Sequence, residues 1–243
     1  MNATELIFVL DASGSMYGLE SDTIGGVNAT LAKHRELEGD AYVTLIQFSD
    51  SSRYMREHVA IDEVKDLTSE DYHASGCTAL LDAVGEAIQR VKKSQKKIAK
   101  SERPSVIFVV ITDGEENSSR EFTYEKVAKM IKKAEKKGWE FLFLGANIDA
   151  AAEASRLGIA RKNAVTYTSD RIGTQVAYEA VASASASFRA SGVVLDGWSD
   201  SIVEDAAART GTVGTAVSEP DDTVAVDDSS TGSFFDASVT SKV

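Results

Sequence analysis

The sequence predicts an α/β protein built on a doubly wound, mostly parallel sheet with one antiparallel edge strand. Short apolar runs of strand length alternate with longer stretches of helical period through residues 5–190. That alternation is typical of a parallel sheet with helices on its faces. A length of 243 residues and a hydrophobic fraction of 43% suit one such domain with an appendage. We therefore expect a Rossmann-like architecture.

The first strand and the first helix follow from the opening of the chain. Residues 5–10 form a continuous apolar run, which predicts a buried strand. Residues 21–23 are Ser-Asp-Thr and can cap a helix whose inward face is Ile24, Val27 and Leu31. Gly39 is placed to end this helix.

A hairpin and a second helix come next. Residues 42–48 predict the second strand and residues 53–61 the third. The polar break between them is so short that it permits only a hairpin, which makes the third strand an antiparallel edge. A polar loop then leads to a helix over about residues 79–93, whose inward positions are Leu80, Leu81, Val84, Ile88 and Val91.

The most hydrophobic strand, residues 106–111, is a Val, Ile and Phe run, which predicts a central position with both faces covered. The remaining elements alternate between helix and strand and end on a helix, at residues 124–137, 139–144, 149–157, 164–167 and about 172–188. The last helix is predicted to turn five side chains inward: Ile172, Val176, Ala180, Val181 and Phe188.

Composition changes after residue 190, and we divide the chain into a domain over residues 1–190 and a tail over residues 191–243. The tail carries ten acidic residues against Arg209 and Lys242, and it is rich in Ser, Thr and Gly without a sustained period. Such a composition predicts a mostly disordered acidic segment.

Charge and cysteine content exclude several classes of function. A net charge of −12 argues against sequence-independent nucleic-acid binding, which depends on Lys and Arg displacing phosphate counterions. Cys77 is the only cysteine, so no intrachain disulfide can form, and a reducing compartment is expected. Residues 6–10 are too few to span a membrane and lack the features of a secretion signal. We expect a cytoplasmic protein without membrane contact.

Oxygen-bearing side chains follow two strands that we expect to be neighbours. Asp11, Ser13 and Ser15 come directly after the first strand, Asp113 ends the central strand, and Thr78 precedes the second helix. Ligands of open α/β sheets bind where strands end at their carboxyl edge. Two carboxylates and three hydroxyls are hard ligands that select Mg²⁺, Mn²⁺ or Ca²⁺ over zinc. Two aspartates roughly neutralise the ion and leave it able to accept a further carboxylate.

These residues resemble the metal-ion-dependent adhesion site of the von Willebrand factor A (vWA) domain family. Asp11, Ser13 and Ser15 match its DxSxS element, Thr78 matches its threonine, and Asp113 matches its distal aspartate. The resemblance covers residues 4–190 and implies a sheet in which only the third strand is antiparallel.

The resemblance also carries a functional expectation. It implies a module that holds Mg²⁺ or Mn²⁺ and uses it to grip an Asp or Glu of a partner protein. Because it has no disulfides and no signal peptide, the chain resembles the intracellular bacterial, archaeal or phage members of the family more than the extracellular adhesins. The partners of such members include AAA+ ATPases and multiprotein assemblies.

Two other functions remain open at this stage. The protein can be a structural component, for example of a phage or surface assembly, in which the metal only stabilises the fold. It can also be a Mg²⁺-dependent phosphoryl-transfer enzyme, but Ser13 stands where haloacid-dehalogenase-type phosphatases place their general acid, and the chain has neither a P-loop nor a GxSxG motif. We therefore predict that the protein is not an enzyme.

Several nearby features carry weaker expectations. Asp82 is either an outer support of the site or a capping residue, and Cys77 is expected to be a small packed residue. Met16 and Tyr17 either form an apolar rim for a partner beside the metal or pack as ordinary loop residues. The lysine-rich stretches 92–103 and 126–137 are expected to be solvated helix faces. The acidic tail either only keeps the protein soluble or extended, or serves as an internal ligand that occupies the metal site when no partner is present.

Overall fold

The computed structural model describes residues 3–210 and places six strands in one sheet with helices on both faces. The strands are β1 (Thr4–Asp11), β2 (Ala41–Phe48), β3 (Ser52–Ala60), β4 (Ser105–Thr112), β5 (Glu140–Ala146) and β6 (Ala164–Tyr167). The helices are α1 (Glu20–Arg35), α2 (Leu80–Gln95), α3 (Tyr124–Glu135), α4 (Ala150–Leu157), α5 (Arg171–Ser191) and α6 (Asp200–Thr210).

The strand order β3-β2-β1-β4-β5-β6 confirms the predicted doubly wound sheet. Strand β3 pairs with β2 in the antiparallel sense at one edge, and every other pair is parallel. Strands β1 and β4 are neighbours in the middle of the sheet, with Leu10 opposite Ile111. Their carboxyl ends therefore meet at the same edge, which brings Asp11 and Asp113 together.

Each face of the sheet buries its own hydrophobic core. Alternate residues of β1 point to opposite faces, as the two-residue period of a strand requires. Leu6, Phe8 and Leu10 pack in the core that includes residues of α1 and α5, while Ile7 and Val9 pack with residues of α2 and α3. Because both faces are covered, β1 and β4 are apolar along almost their whole length.

Two details of the helices differ from the prediction. Helix α1 begins at Glu20, so Ser21, Asp22 and Thr23 lie inside its first turn and do not cap it. No side chain caps the amino end of α1, and the Glu20 side chain accepts a hydrogen bond from the Gly18 backbone N–H, before the helix, at 2.6 Å. The prediction that Ile172 points inward is wrong: it is 61% exposed, because the buried face of α5 begins with Gly173 and Thr174 and Ile172 lies outside that face.

Helix α6 lies in the segment for which the sequence predicted mostly disorder. Gly192 adopts a left-handed conformation with φ of 78° and ends α5. The chain then returns to the domain, where Ile202 is fully buried and the Trp198 ring N–H donates to the Lys162 carbonyl at 2.9 Å. The expectation of disorder is therefore wrong for residues 200–210. Residues 211–243, with the acidic groups proposed as an internal ligand, lie outside the described residues.

None of the helices within residues 3–210 is both long enough and apolar enough to cross a bilayer.

A buried polar network joins the carboxyl end of α1 to α5. The Arg189 guanidinium donates to the His34 carbonyl at 2.6 Å and to the Gly39 carbonyl at 2.7 Å. The His34 ring lies 3.2 Å from the same guanidinium and 2.8 Å from the Ser185 hydroxyl. The last carbonyls of a helix have no partner within the helix. Arg189 supplies that partner from another element.

Burial of His34 makes the stability of the domain depend on pH. Desolvation, with a contribution from the Arg189 charge, lowers the pKa of His34 to about 3 from its usual 6.5. Below pH 6.5, His34 is therefore protonated in the unfolded chain but stays neutral in the folded chain until the pH approaches 3. This contribution to stability is complete above pH 6.5 and falls as the pH drops, by about 1 kcal/mol between pH 6.5 and 5.5.

This pH dependence is checked by urea unfolding at the two pH values, with the His34→Gln variant beside the unaltered chain. We expect the unaltered chain to lose more stability than the variant over this interval. Equal losses in the two proteins, or a His34 ring resonance that titrates above pH 5 in NMR spectra, would contradict the prediction.

Candidate metal centre

The structure brings the five predicted ligand residues to one place at the carboxyl edge of the sheet. Asp11 is the last residue of β1, and Ser13 and Ser15 belong to the turn that follows it. Thr78 lies two residues before α2, and Asp113 directly follows β4.

Asp11 is held in a fixed orientation below the surface. The residue is fully buried, and each carboxylate oxygen accepts one hydrogen bond. The Ser13 backbone N–H donates to Oδ1 at 2.7 Å, and the Thr112 hydroxyl donates to Oδ2 at 2.5 Å. The Tyr72 hydroxyl also donates to the Asp11 backbone carbonyl. The contacts of Thr112 and Tyr72 join segments distant in sequence, so no local sequence pattern indicates them.

A chain of hydroxyl groups links this buried carboxylate region to the surface. The Ser13 and Ser15 hydroxyl oxygens lie 3.0 Å apart, and the Ser15 hydroxyl donates to Asp113 Oδ1 at 2.6 Å. Ser13 is buried, Ser15 is exposed and Asp113 is partly buried. The site is therefore open to solvent on the side of Ser15 and Asp113, where a further ligand can approach.

The Thr78 hydroxyl lies close to the Ser15 hydroxyl and to the residue that follows Asp113. A β-carbon built on Gly114 would lie 3.1 Å from the Thr78 hydroxyl oxygen and 3.6 Å from the Ser15 hydroxyl oxygen. Both hydroxyls therefore lie within 4 Å of one position next to Asp113. The absence of a side chain at Gly114 keeps this position clear.

The loop before Thr78 is tied directly to the turn that carries the serines. The Gly14 N–H donates to the Gly76 carbonyl at 3.0 Å, and the Ser75 N–H donates to the Ala12 carbonyl at 2.7 Å. Gly76 has φ of 79°, and a β-carbon there would lie 2.1 Å from a carboxylate oxygen of Asp50. Only glycine fits this position, because the backbone conformation and the space both exclude a side chain.

The two aspartates carry an electrostatic penalty in the protein alone. Burial raises the pKa of Asp11, and the nearby Asp113 charge raises it further, against the hydrogen bonds from Thr112 and Ser13 that favour the ionised form. Burial also raises the pKa of Asp113, against the hydrogen bond from Ser15. A cation between the two carboxylates would remove this penalty.

The chemistry of the donor set fits a hard divalent cation. All five candidate ligands offer oxygen, and within residues 3–210 no group of three or more His, Cys, Asp or Glu side chains is placed to hold a metal. Two carboxylates supplemented by hydroxyls and water suit Mg²⁺, which is commonly bound by only one or two carboxylates.

Four residues near the candidate ligands, Met16, Tyr17, Cys77 and Asp82, differ in their exposure and contacts. Met16 is buried, whereas Tyr17 is 82% exposed, so only Tyr17 is available as an apolar rim. Cys77 is exposed, and the expectation of a packed residue is wrong, because its backbone lies in the loop outside the core. Asp82 accepts three backbone hydrogen bonds from residues 120–122, which makes it a capping residue for that loop.

The chain belongs to the von Willebrand factor type A domain family. The family profile matches residues 5–183, which include all five candidate ligands. No curated protein matches the chain in sequence.

Solved structures with the same fold come from different organisms. Proximal thread matrix protein 1 from the mussel byssus is similar with a TM-score of 0.54 at 15% identity, over 74% of this chain and 45% of that chain. The pilus adhesin SpaC from Lactobacillus rhamnosus GG gives a TM-score of 0.56 at 12% identity, over 75% of this chain and 30% of the adhesin. A von Willebrand factor type A protein from Catenulispora acidiphila gives a TM-score of 0.52 at 14% identity, over 76% of this chain and 43% of that chain. The matched region is under half the length of each of these proteins.

Proposed function

We propose that this protein is a metal-dependent protein-binding module that holds Mg²⁺ or Mn²⁺ with Asp11, Ser13, Ser15, Thr78 and Asp113. The observation that carries the proposal is the convergence of two carboxylates and three hydroxyls, from three distant segments, at the open edge of the sheet. When bound, the metal would supply a Lewis-acidic centre for a ligand that approaches from solvent. The five residues would hold the ion, and the two carboxylates would balance its charge.

The partner group that suits such an ion is the carboxylate of an Asp or Glu. Asp11 and Asp113 together offer two negative charges, so a divalent cation between them is roughly neutralised but not surrounded by anions. A third carboxylate arriving from solvent meets little net repulsion on the side of Ser15 and Asp113. Tyr17 is exposed beside the same turn and offers an apolar surface to the partner.

A related structure supports the binding of a divalent metal, and the oxygen ligands of this chain favour Mg²⁺ or Mn²⁺. The structure of proximal thread matrix protein 1 has also been solved with zinc in its metal-ion-dependent adhesion site (MIDAS) motif, and that structure has a TM-score of 0.50 to this chain. An all-oxygen set without histidine or cysteine selects Mg²⁺ or Mn²⁺ when these ions are abundant. We propose a cytoplasmic setting in which an AAA+ ATPase or a multiprotein assembly supplies the acidic partner.

Two alternatives make different demands on the same residues. A purely structural metal would stabilise the fold without taking part in binding, which a stability measurement can separate from partner capture. A phosphoryl-transfer enzyme would require a nucleophile with a base beside the metal. The Ser15 hydroxyl, which lies beside that of Ser13, donates to Asp113. Asp113 would be needed to balance the charge of a bound cation, so it would not be free to act as the base. We propose that the protein has no hydrolase activity of its own.

The proposal predicts that partner proteins are captured in Mg²⁺ and released by EDTA. The test is an affinity pull-down with the full chain as bait in Mg²⁺, in EDTA, and in Mg²⁺ with an excess of a short glutamate-containing peptide. We expect the captured proteins to be lost in EDTA and reduced by the peptide. Circular dichroism of the bait in EDTA serves as the control for folding.

Capture that survives EDTA would contradict this function. A bait that unfolds in EDTA would favour the structural alternative, since the metal would then hold the fold together. Capture that EDTA abolishes but the acidic peptide leaves unchanged would show that the partner's ligand is not a carboxylate.

A further inference from the structure

The amino end of α2, next to Thr78, depends on side chains from another part of the chain. The residue before the helix, Ala79, has no side chain that can cap it, so the first N–H groups of α2 need partners from elsewhere. Glu116 accepts the Leu81 N–H at 2.9 Å, and Ser119 accepts the Asp82 N–H at 3.0 Å. Both acceptors lie in the loop that follows Asp113.

The loop is held by α2 in return. The Asp82 carboxylate accepts the N–H groups of Arg120, Glu121 and Phe122 at 2.8 to 2.9 Å. Residues 116–122 and the first turn of α2 therefore cap each other, and we call this pair of segments the reciprocal clasp. Each carboxylate satisfies backbone groups that would otherwise lack a partner within the fold.

Asn117 connects the reciprocal clasp to the metal site. Its side-chain carbonyl accepts the Thr78 N–H at 2.9 Å, and its own backbone N–H donates to the Thr78 carbonyl at 3.1 Å. Both backbone polar groups of Thr78 are thus bound to one residue. Because the peptide planes on each side of Thr78 are held, the direction of its side chain toward Gly114 and Ser15 is also held.

We propose that Asn117 is a positioning residue that aims the Thr78 hydroxyl at the metal, with Glu116 and Asp82 holding the loop and the helix in register. This inference rests on the proposed metal site. Asn117 lies four residues after Asp113, so one short loop carries a metal carboxylate and also sets the threonine. Among residues 3–210, the hydrogen bonds described between the serine turn and the Thr78 loop are backbone bonds at Gly14 and Ser75. The side-chain bond to the Thr78 backbone comes from the loop that also carries Asp113.

Asn28 offers a matched control within the same chain. Its side chain also bonds to both backbone polar groups of one residue, accepting the Leu67 N–H at 2.8 Å and donating to the Leu67 carbonyl at 2.9 Å. Asn28 lies on α1, and neither it nor Leu67 contacts a candidate metal ligand through a hydrogen bond that the structure describes. Asn28→Ala removes two such side-chain bonds, against one in Asn117→Ala, and leaves Thr78 unaltered.

The test compares Asn117→Ala with Asn28→Ala in the full chain, by calorimetric titration with Mg²⁺, by thermal unfolding in EDTA, and by hydrogen exchange at the Thr78 amide. We expect Asn117→Ala to weaken Mg²⁺ binding roughly 3- to 10-fold, as the loss of one positioned hydrogen bond allows. We expect faster exchange at Thr78 in the same variant. Asn28→Ala should bind Mg²⁺ like the unaltered chain. Asn117→Asp retains the acceptor and should restore slow exchange at Thr78.

Unchanged Mg²⁺ affinity in Asn117→Ala would overturn the positioning role while leaving the proposed metal site standing. Equal weakening in both alanine variants would also overturn it, since a general loss of stability would explain the result. Absence of Mg²⁺ binding by the unaltered chain would overturn the proposed function, and this role with it.

Discussion

Replacing Asp113 by Asn is expected to weaken Mg²⁺ binding roughly 100-fold or more, because the loss of a full charge next to a divalent ion removes several kcal/mol of attraction. Asparagine has the same shape, and its carbonyl oxygen can still accept the hydrogen bond from Ser15. Since burial raises the pKa of Asp113, the ionised carboxyl destabilises the protein without metal. We therefore expect the variant to melt in EDTA at the same temperature as the unaltered chain or at a higher one.

Asp66→Asn is the charge-matched control for this experiment. Asp66 is exposed and pairs with Arg35, away from the candidate ligands. Its replacement should leave calorimetric Mg²⁺ affinity unchanged. Asp113→Asn is a sharper test than replacing Asp11, because Asp11 also holds Ser13 and Thr112, so its loss would disturb the fold. Equal Mg²⁺ affinity in Asp113→Asn and the unaltered chain would remove Asp113 from the ligand set.

Replacing Arg189 by Ala is expected to cost about 3 kcal/mol of unfolding free energy, because it removes several buried hydrogen bonds to carbonyls at the end of α1 and opens a cavity beside them. Arg189 is 9% exposed and donates to several carbonyls at the end of α1. The free energy is measured by urea unfolding in EDTA, so that metal binding does not contribute.

Arg171→Ala, in the first turn of the same helix, is the control for this prediction. Arg171 is exposed, and no ion pair of Arg171 is found within residues 3–210. Its replacement should change stability by no more than about 0.5 kcal/mol. A loss of under about 1 kcal/mol in Arg189→Ala would show that water replaces the guanidinium at the end of α1.

The sheet could be predicted from the sequence because its strands are short apolar runs with clear polar boundaries. Residues 106–111 identify the central strand by composition alone, and the short break before residue 53 determines that β3 is antiparallel. The convergence of Asp11 and Asp113 then follows from topology, since adjacent parallel strands end at the same edge. Local pattern and sheet order therefore suffice to bring these two carboxylates together.

Features that depend on contacts between distant segments could not be predicted. The reciprocal clasp joins residues about forty positions apart, and nothing in the pattern around Asn117 indicates its pairing with Thr78. In the sequence, Arg189 cannot be distinguished from an ordinary charged residue of a helix, because its partners at the end of α1 lie about 150 residues earlier in the chain. Helix α6 was missed because only Ile202 of its apolar residues is fully buried, which leaves too weak a period to detect in an acidic segment.

The position of α6 has a consequence for biosynthesis. Strand β6 is an edge of the sheet, and α6 packs against it and against α5. An uncovered edge strand offers unpaired backbone groups to other chains. During translation β6 is complete by residue 167, whereas α6 ends only at residue 210. Until residue 210 has been added, α6 is incomplete and cannot fully cover this edge, so any sheet that forms earlier would expose β6 to pairing with other chains.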